Sequence, residues 1–245
     1  MSVLVITGGA RGIGRATALG AARRGWPVCF SYVSNDAAAE KTEAEIAALG
    51  VPTARLKGDA RDEAHIAALF DLAATLGPVT RAVANAGIVA PAMTLAEMSA
   101  ERIRKVVDVN VTGALLTARE AARRMPPAAG GQGGALVILS SAAARLGGAF
   151  SYVDYAATKG AMDTLIRGLA LELAPDVRVN AVRPGIIDTE IHADAGSPDR
   201  VAEVGPSLPM GRAGTAEETA NAVLWLLSDK ASYVTGANVD VAGGR

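Results

Sequence analysis

The chain of 245 residues is poor in several features that mark specialised classes of protein. Its single cysteine, Cys29, excludes an internal disulfide and fits a reducing compartment. A net charge of −1 without a Lys/Arg cluster argues against nucleic acid and against anionic membranes as partners. No apolar run reaches membrane-spanning length, and "MSVLVITGG" lacks the basic region of a signal peptide. We therefore expect a cytoplasmic protein.

Histidine is also scarce. His65 and His192 lie far apart in sequence, and neither has a second ligand at metal-binding spacing. Zinc sites need three or four such side chains, so we expect no metal. We expect His192 to be a solvated loop residue.

Short β-branched runs alternate with longer Ala/Leu-rich stretches along the whole chain. The runs predict strands at 3–7, 28–32, 53–57, 81–85, 135–140, 177–182 and 237–242. The stretches between them predict helices at 13–24, 37–49, 63–76, 99–125, 155–174 and 216–227. This alternation predicts an α/β fold: a doubly wound, mostly parallel sheet of the Rossmann type with helices on both faces. We expect one domain over 1–245, with a substrate loop at about 190–214.

The first strand leads directly into "TGGARGIG" at 7–14. Glycines at this place let the backbone approach a phosphate closely, and the helix N-terminus that follows offers free N–H groups and partial positive charge. A Gly-rich turn between the first strand and the first helix of an α/β chain therefore predicts a dinucleotide site.

Tyr155 precedes Lys159 by four residues in "DYAATKGA". On a helix these two side chains lie on the same face. A cation beside a phenol favours the phenolate and so lowers its pKa from about 10. The pair can therefore serve as a proton donor and acceptor near neutral pH.

Together these motifs resemble the short-chain dehydrogenase/reductase family, in its shorter single-domain form, over essentially the whole chain. The resemblance extends to "NAG" at 85–87, "NVTG" at 110–113, "LSSAA" at 139–143, "RPGIIDT" at 183–189 and "VTGANVDVAGG" at 234–244. Among family members the chain looks most similar to 3-oxoacyl-carrier-protein reductase-like and glucose-dehydrogenase-like proteins.

The resemblance implies an enzyme that moves a hydride between a nicotinamide and a carbonyl or carbinol carbon. Tyr155 would be its general acid and base, and Lys159 would also hold the nicotinamide ribose. Ser141 would bind the substrate oxygen, although its neighbour Ser140 is an alternative at this spacing. Asn110 would hold a water beside Lys159, or else satisfy backbone groups as a buried helix asparagine.

The resemblance also implies a set of cofactor-binding residues. Asp59 follows the third strand, where it would contact adenine or instead cap the next helix. Ile187 and Thr189 would border the carboxamide and the pyrophosphate. The full predicted set is Gly8, Arg11, Gly12, Ile13, Gly14, Ser31, Tyr32, Asp59, Ala60, Asn85, Ala86, Gly87, Tyr155, Lys159, Pro184, Gly185, Ile187 and Thr189.

The second strand ends in "FSYVSN" and has no acid before Asp36. Folds of this kind that prefer NAD place an acid at that strand end, where it repels a 2′-phosphate. Arg11 lies within the Gly-rich turn, and the resemblance associates a basic residue there with NADP. We therefore expect NADP(H) to be preferred, with NAD(H) possible.

The expected partners are a small carbonyl or alcohol substrate and further copies of the chain. "ALLTAREAA" and "MDTLIRGLALELA" are apolar around most of the helix, which favours cover on both sides. The resemblance implies a homotetramer. A 3-oxoacyl thioester and a sugar both remain possible substrates. A dinucleotide-binding sensor or scaffold without turnover is the alternative function.

Overall fold

Seven strands form one parallel sheet in a computed structural model that describes residues 2–245. A further pair of two-residue strands lies apart from it. In chain order the strands are Val3–Ile6 (β1), Val28–Tyr32 (β2), Thr53–Lys57 (β3), Val79–Ala84 (β4), Gly134–Leu139 (β5), Val177–Pro184 (β6), Ile187–Asp188 (β7), Gly214–Thr215 (β8) and Asn238–Val241 (β9). The order across the large sheet is β3-β2-β1-β4-β5-β6-β9.

Helices cover both faces of this sheet, so the predicted fold class is confirmed. They are Gly12–Ala22 (α1), Asp36–Ala48 (α2), Glu63–Ala74 (α3), Ala100–Val107 (α4), Gly113–Arg124 (α5), Ala143–Leu146 (α6), Val153–Glu172 (α7), Ile191–Asp194 (α8), Arg200–Val204 (α9) and Ala216–Leu226 (α10). One face packs on α3, α5 and α7, and the other on α1, α2 and α10.

Strand β1 shows why the sheet is buried on both sides. Its four residues are completely buried. Val3 and Val5 belong to the core under α3, α5 and α7, while Leu4 and Ile6 belong to the opposite core. Successive side chains of a strand point to opposite faces, so a continuous apolar run fills two cores at once.

The helical region expected over 99–125 is interrupted in the structure. A π-helical segment, Asp108–Thr112, separates α4 from α5. Segments of this kind are rare and occur frequently at functional sites. This one carries Asn110, whose buried side chain is described below with the site.

The substrate loop expected at about 190–214 contains local structure. The short helices α8 and α9 lie within it, and β7 pairs with β8 across its ends. Among residues 2–245, no helix is long and apolar enough to cross a membrane.

Candidate active site

The predicted site residues converge on one edge of the sheet, where the parallel strands have their carboxyl ends. The chain order reverses between β2 and β4, which both pair with β1. In open α/β sheets the crevice at this reversal is where ligands bind. Each strand from β1 to β6 is followed there by predicted residues, namely Thr7 and Gly8 after β1, Tyr32 at the end of β2, Asp59 after β3, Asn85 after β4, Ser141 after β5 and Gly185 after β6.

The Gly-rich turn requires glycine for two separate reasons. Gly8 has φ = +70°, a left-handed conformation that side chains rarely adopt. A Cβ on Gly14 would lie 2.2 Å from the carbonyl oxygen of Gly8, because α1 begins against the preceding turn. The close approach of α1 to β1 therefore depends on a missing side chain at Gly14.

Asn85 ties this turn to β4. Its Nδ2 donates to the carbonyl oxygens of Thr7 at 3.0 Å and Gly8 at 2.9 Å. In return, Thr7 Oγ1 accepts from the backbone N–H groups of Asn85 at 3.1 Å and Ala86 at 3.2 Å. The turn is thus held rigidly by partners from the neighbouring strand rather than by its own backbone alone.

The beginning of α1 fits a pyrophosphate. Arg11 at the N-cap contributes no side-chain acceptor, and among residues 2–245 the N–H groups of Gly12, Ile13 and Gly14 have no acceptor. Free N–H groups at a helix N-terminus bind phosphate oxygens. The residues present therefore suit the dinucleotide implied by the sequence.

Tyr155 and Lys159 lie together in the first turns of α7. Lys159 Nζ is 5.6 Å from the centre of the Tyr155 ring and donates to the carbonyl oxygen of Leu139 at 2.7 Å. Only 5% of Lys159 is exposed, and burial lowers the pKa of its ammonium to about 8. A Cβ on Gly87 would lie 3.6 Å from Nζ, so the "NAG" segment borders the same ammonium.

The pKa of Tyr155 differs from the expectation based on spacing. Burial raises the pKa of the phenol, and the effect that opposes it is a hydrogen bond with Ser141. The net direction is opposite to the lowering expected from Lys159, whose Nζ donates to the carbonyl oxygen of Leu139. The phenol is therefore in its protonated form near neutral pH.

The structure separates Ser141 from Ser140. Ser140 Oγ is buried and donates to Asp163 Oδ1 at 2.7 Å, and Arg183 holds that same carboxylate. Ser141 Oγ lies beside the phenol of Tyr155 and accepts from the backbone N–H of Ala143 at 3.1 Å. Of the two hydroxyls, that of Ser141 is placed to share a substrate oxygen with Tyr155.

Asn110 satisfies backbone groups, as in the second of its two expected roles. Its Oδ1 accepts from the N–H of Ile88 at 2.8 Å, and its Nδ2 donates to the carbonyl oxygen of Ile88 at 2.9 Å. Nδ2 also contacts Thr158 Oγ1 at 3.2 Å. Asn110 therefore joins the segment after "NAG" to α7, one residue before Lys159.

Asp59 and Ala60 lie where the adenine was expected, but the Asp59 carboxylate already has a partner. Arg61 donates to both of its oxygens, from Nε to Oδ1 at 3.1 Å and from Nη2 to Oδ2 at 2.6 Å, and this lowers the pKa of Asp59. The alternative role as a helix cap is wrong, because Asp62 caps α3 by accepting from Ala64.

The sequence pattern did not reveal a cation beside the end of β2. Lys57 lies opposite Tyr32 in the register of β2 and β3. Its Nζ is 2.7 Å from Asp36 Oδ2, and the hydroxyl of Tyr32 donates to Asp36 Oδ1 at 2.9 Å. These two bonds lower the pKa of Asp36. Aligning the predicted ends of β2 and β3 would have placed Lys57 opposite Tyr32.

Arg11 has an unexpected partner in the substrate loop. Its guanidinium is 2.9 Å from Asp194 of α8, and both side chains are about half exposed, at 42% and 54%. The adjacent Thr189 also borders the turn, with its Cγ2 3.3 Å from the place where a Cβ of Gly12 would lie. The loop therefore closes over the Gly-rich turn at two points.

Other predicted residues lie in β6, in β7 and between these two strands. Pro184 ends β6, and its carbonyl accepts from Ala142, next to Ser141. Gly185 packs so tightly that a Cβ would lie 2.7 Å from Cα of Ala242. Ile187 is buried in the β7–β8 pair.

An ion pair beside Tyr155 was also missed. Arg102 of α4 binds Asp154 at 3.0 Å, with side chains only 11% and 2% exposed. Asp154 Oδ1 in turn accepts from the backbone N–H of Tyr155 at 2.8 Å. The pair fixes the start of α7 and thereby the position of the phenol.

Comparisons with known proteins agree with this geometry. The family described as "Enoyl-(Acyl carrier protein) reductase" matches residues 8–245. "Uncharacterized oxidoreductase YgfF" of Escherichia coli (strain K12) is 49% identical over the full length of both chains. "L-rhamnose 1-dehydrogenase (NAD(P)(+))" of Sphingomonas sp. (strain SKA58) is 36% identical over 98% of this chain and 94% of the relative.

Among solved structures, a short-chain type dehydrogenase/reductase from Mycobacterium marinum superposes with a TM-score of 0.92. It is 33% identical, and the match covers 99% of this chain and 94% of the other. The similarity therefore includes the sheet, the covering helices and the loop over the site.

Proposed function

Because the chain belongs to the short-chain dehydrogenase/reductase family of NAD(P)-dependent oxidoreductases, we propose that it interconverts a carbonyl and a secondary alcohol with a preference for NADP(H). The observation that carries this proposal is the meeting of Ser141, Tyr155 and Lys159 at the sheet edge that also holds the Gly-rich turn. The loop at about 190–214 forms the substrate side of the site.

In this proposal the nicotinamide supplies or accepts the hydride at the substrate carbon. Tyr155 gives its phenolic proton to the carbonyl oxygen during reduction and takes it back during oxidation. Ser141 donates a hydrogen bond to the same oxygen, where negative charge develops. Lys159 holds the ribose hydroxyls, and Asn110 keeps the segment after "NAG" in place beside it.

A panel of simple ketones, 3-oxoacyl thioesters and sugars tests this proposal. Turnover is followed by the absorbance of the reduced cofactor, with either NADP(H) or NAD(H). We expect turnover of at least one carbonyl or carbinol class. Cofactor binding without turnover on any of them would favour the dinucleotide-binding sensor or scaffold instead.

The preference for NADP(H) rests on the charges beside the adenosine ribose. Arg11 lies at the N-cap of α1 and Lys57 at the end of β3, so two cations flank this position. Asp36 would repel a 2′-phosphate, but it is already bonded to Lys57 and Tyr32. A 2′-phosphate there would compete with Asp194 for the guanidinium of Arg11.

Arg11→Ala is expected to weaken NADP(H) binding about ten- to a hundredfold and to leave NAD(H) binding nearly unchanged. A hydrogen bond to a charged group contributes roughly 1.5–3 kcal/mol, which corresponds to this range. Both cofactors are titrated against both proteins by fluorescence.

Asp194→Asn is the matched control, because it removes the competing acid while keeping Arg11. It is expected to bind NADP(H) as tightly as the unmodified protein or more tightly. Equal or tighter binding of NAD(H) by the unmodified protein would refute the NADP(H) preference.

We also propose that the chain assembles as a homotetramer. Leu115 of α5 is 44% exposed and Leu171 of α7 is 83% exposed, on the two helices whose sequences are rich in Ala and Leu. Sedimentation velocity at micromolar concentration is expected to give four times the chain mass. Leu115→Arg should reduce the mass found by sedimentation. Leu49→Arg, at the C-terminal end of α2, should leave that mass unchanged. A stable monomer of the unmodified protein would contradict the proposal.

A further inference from the structure

Arg200 is a cation of the substrate loop whose charge is not balanced by an ion pair within residues 2–245. It begins α9 and is half-buried, and its guanidinium carbon lies 5.2 Å from the centre of the Tyr152 ring. Tyr152 precedes α7 and accepts the N–H of Ala156, so it lies one helical turn before Tyr155. Arg200 is therefore in contact with the residue that caps the helix carrying Tyr155.

The acids near Arg200 do not pair with it. Asp194 of α8 is bound to Arg11 at 2.9 Å. Asp199 and Glu203, on either side of Arg200 along the chain, make no ion pair with it, and no carboxylate in residues 2–245 lies within 4.0 Å of its nitrogens. A half-buried guanidinium with an aromatic ring on one side and no carboxylate is able to bind an anion from solution.

His192 does not compete for that anion. Its Nε2 is 2.9 Å from the carbonyl oxygen of Ile187, and it is half-buried rather than solvated as the sequence suggested. Burial lowers the pKa of His192, and the charge of Arg200 lowers it further. The lowered pKa disfavours the charged imidazole, so His192 adds little positive charge beside Arg200.

The loop before α7 adds an apolar surface beside the same place. Phe150 is 85% exposed and has φ = +60°, a left-handed conformation unusual for a residue with a bulky side chain. Strained backbone of this kind is concentrated at functional sites. Phe150 lies two residues before Tyr152, so an exposed aromatic ring and the guanidinium occur on neighbouring segments.

We propose that Arg200 binds a carboxylate carried by the substrate, and that the preferred substrate is an oxo or hydroxy acid with an apolar carbon skeleton. The planar guanidinium matches a carboxylate with two parallel hydrogen bonds. The carbonyl or carbinol of such an acid lies at Tyr155 while its carboxylate lies at Arg200. This inference rests on the proposed function, because it takes Tyr155 as the reacting end of the site.

Binding of a dead-end ligand tests the inference without turnover. Isothermal titration calorimetry is used to compare cyclohexanecarboxylate with its neutral counterpart cyclohexanecarboxamide, each added to the protein saturated with NADP⁺. The carboxylate is expected to bind at least about tenfold more tightly than the amide. Arg200→Gln is expected to abolish that difference, and Arg200→Lys to restore part of it.

Arg23→Gln is the matched control, because it removes the same charge from the exposed far end of α1. It should keep the full preference for the carboxylate. Equal binding of the two ligands by the unmodified protein, no binding of either, or a preference that survives in Arg200→Gln would overturn the inference.

The two proposals fail in distinguishable ways. A protein that binds NADP(H) and reduces a ketone but does not discriminate between the two ligands retains its proposed function and loses only the role of Arg200. A protein that discriminates between them without NADP⁺, yet binds neither cofactor, would retain the anion site and refute the proposed oxidoreductase mechanism.

Discussion

Tyr155→Phe is expected to lower kcat by at least about a hundredfold, the effect typical of losing a positioned acid. The substitution keeps the ring but removes the hydroxyl that lies beside Ser141. Burial raises the pKa of this phenol, so the hydroxyl is protonated near neutral pH and is the proton donor for reduction. The affinity for NADP(H) should barely change, because the aromatic ring still fills its place.

Steady-state kinetics and cofactor titration, measured on the same preparation, check this result. Tyr233→Phe removes the same hydroxyl from a fully exposed tyrosine and should leave both quantities unchanged. Turnover of Tyr155→Phe at the unmodified rate would show that another group supplies the proton.

Lys159→Met is expected to reduce both turnover and cofactor affinity. The side chain is nearly fully buried, and its ammonium bonds Leu139 while bordering Gly87. Methionine keeps similar volume and removes a buried charge, so the fold should be retained. Loss of a charge-assisted hydrogen bond to the ribose is expected to weaken NADP(H) and NAD(H) alike, by about tenfold or more.

This common loss distinguishes Lys159 from Arg11, whose replacement should affect NADP(H) alone. Lys105→Met removes an exposed lysine from the last turn of α4 and serves as the control. Thermal unfolding confirms that each variant is folded. A variant Lys159→Met with a reduced kcat but unchanged affinity for both cofactors would leave Lys159 a role in proton transfer and remove its role at the ribose.

The sequence alone determined the parts of this protein that depend on short-range pattern. Strand β1 appeared as a continuous apolar run because both of its faces are buried, and the structure shows Val3 and Leu4 in opposite cores. The Gly-rich turn was visible because left-handed backbone and close packing leave glycine as the residue that fits Gly8 and Gly14. The i, i+4 spacing of Tyr155 and Lys159 needed only a helix.

Only the tertiary structure decided which groups are already engaged. In the sequence, Ser140 and Ser141 are equally suited to bind a substrate oxygen. In the structure, Ser140 donates to Asp163, whereas Ser141 lies beside the phenol of Tyr155. Burial by the whole site raises the pKa of Tyr155, and this effect is one that the spacing of Tyr155 and Lys159 does not describe. The burial of these side chains and their hydrogen-bond partners depend on segments that are distant in sequence and adjacent in the fold.

The charges around the cofactor and substrate positions show most clearly that ion-pair partners are not visible in the sequence. Arg11 and Asp194 are 183 positions apart in the chain, yet they form an ion pair at 2.9 Å. Lys57 meets Asp36 because β2 and β3 are adjacent, and Arg200 meets Tyr152 because the loop folds back over α7. A charge acts over a few ångströms in space regardless of separation in sequence, so which cations are neutralised and which are free was decided by the packing of the chain.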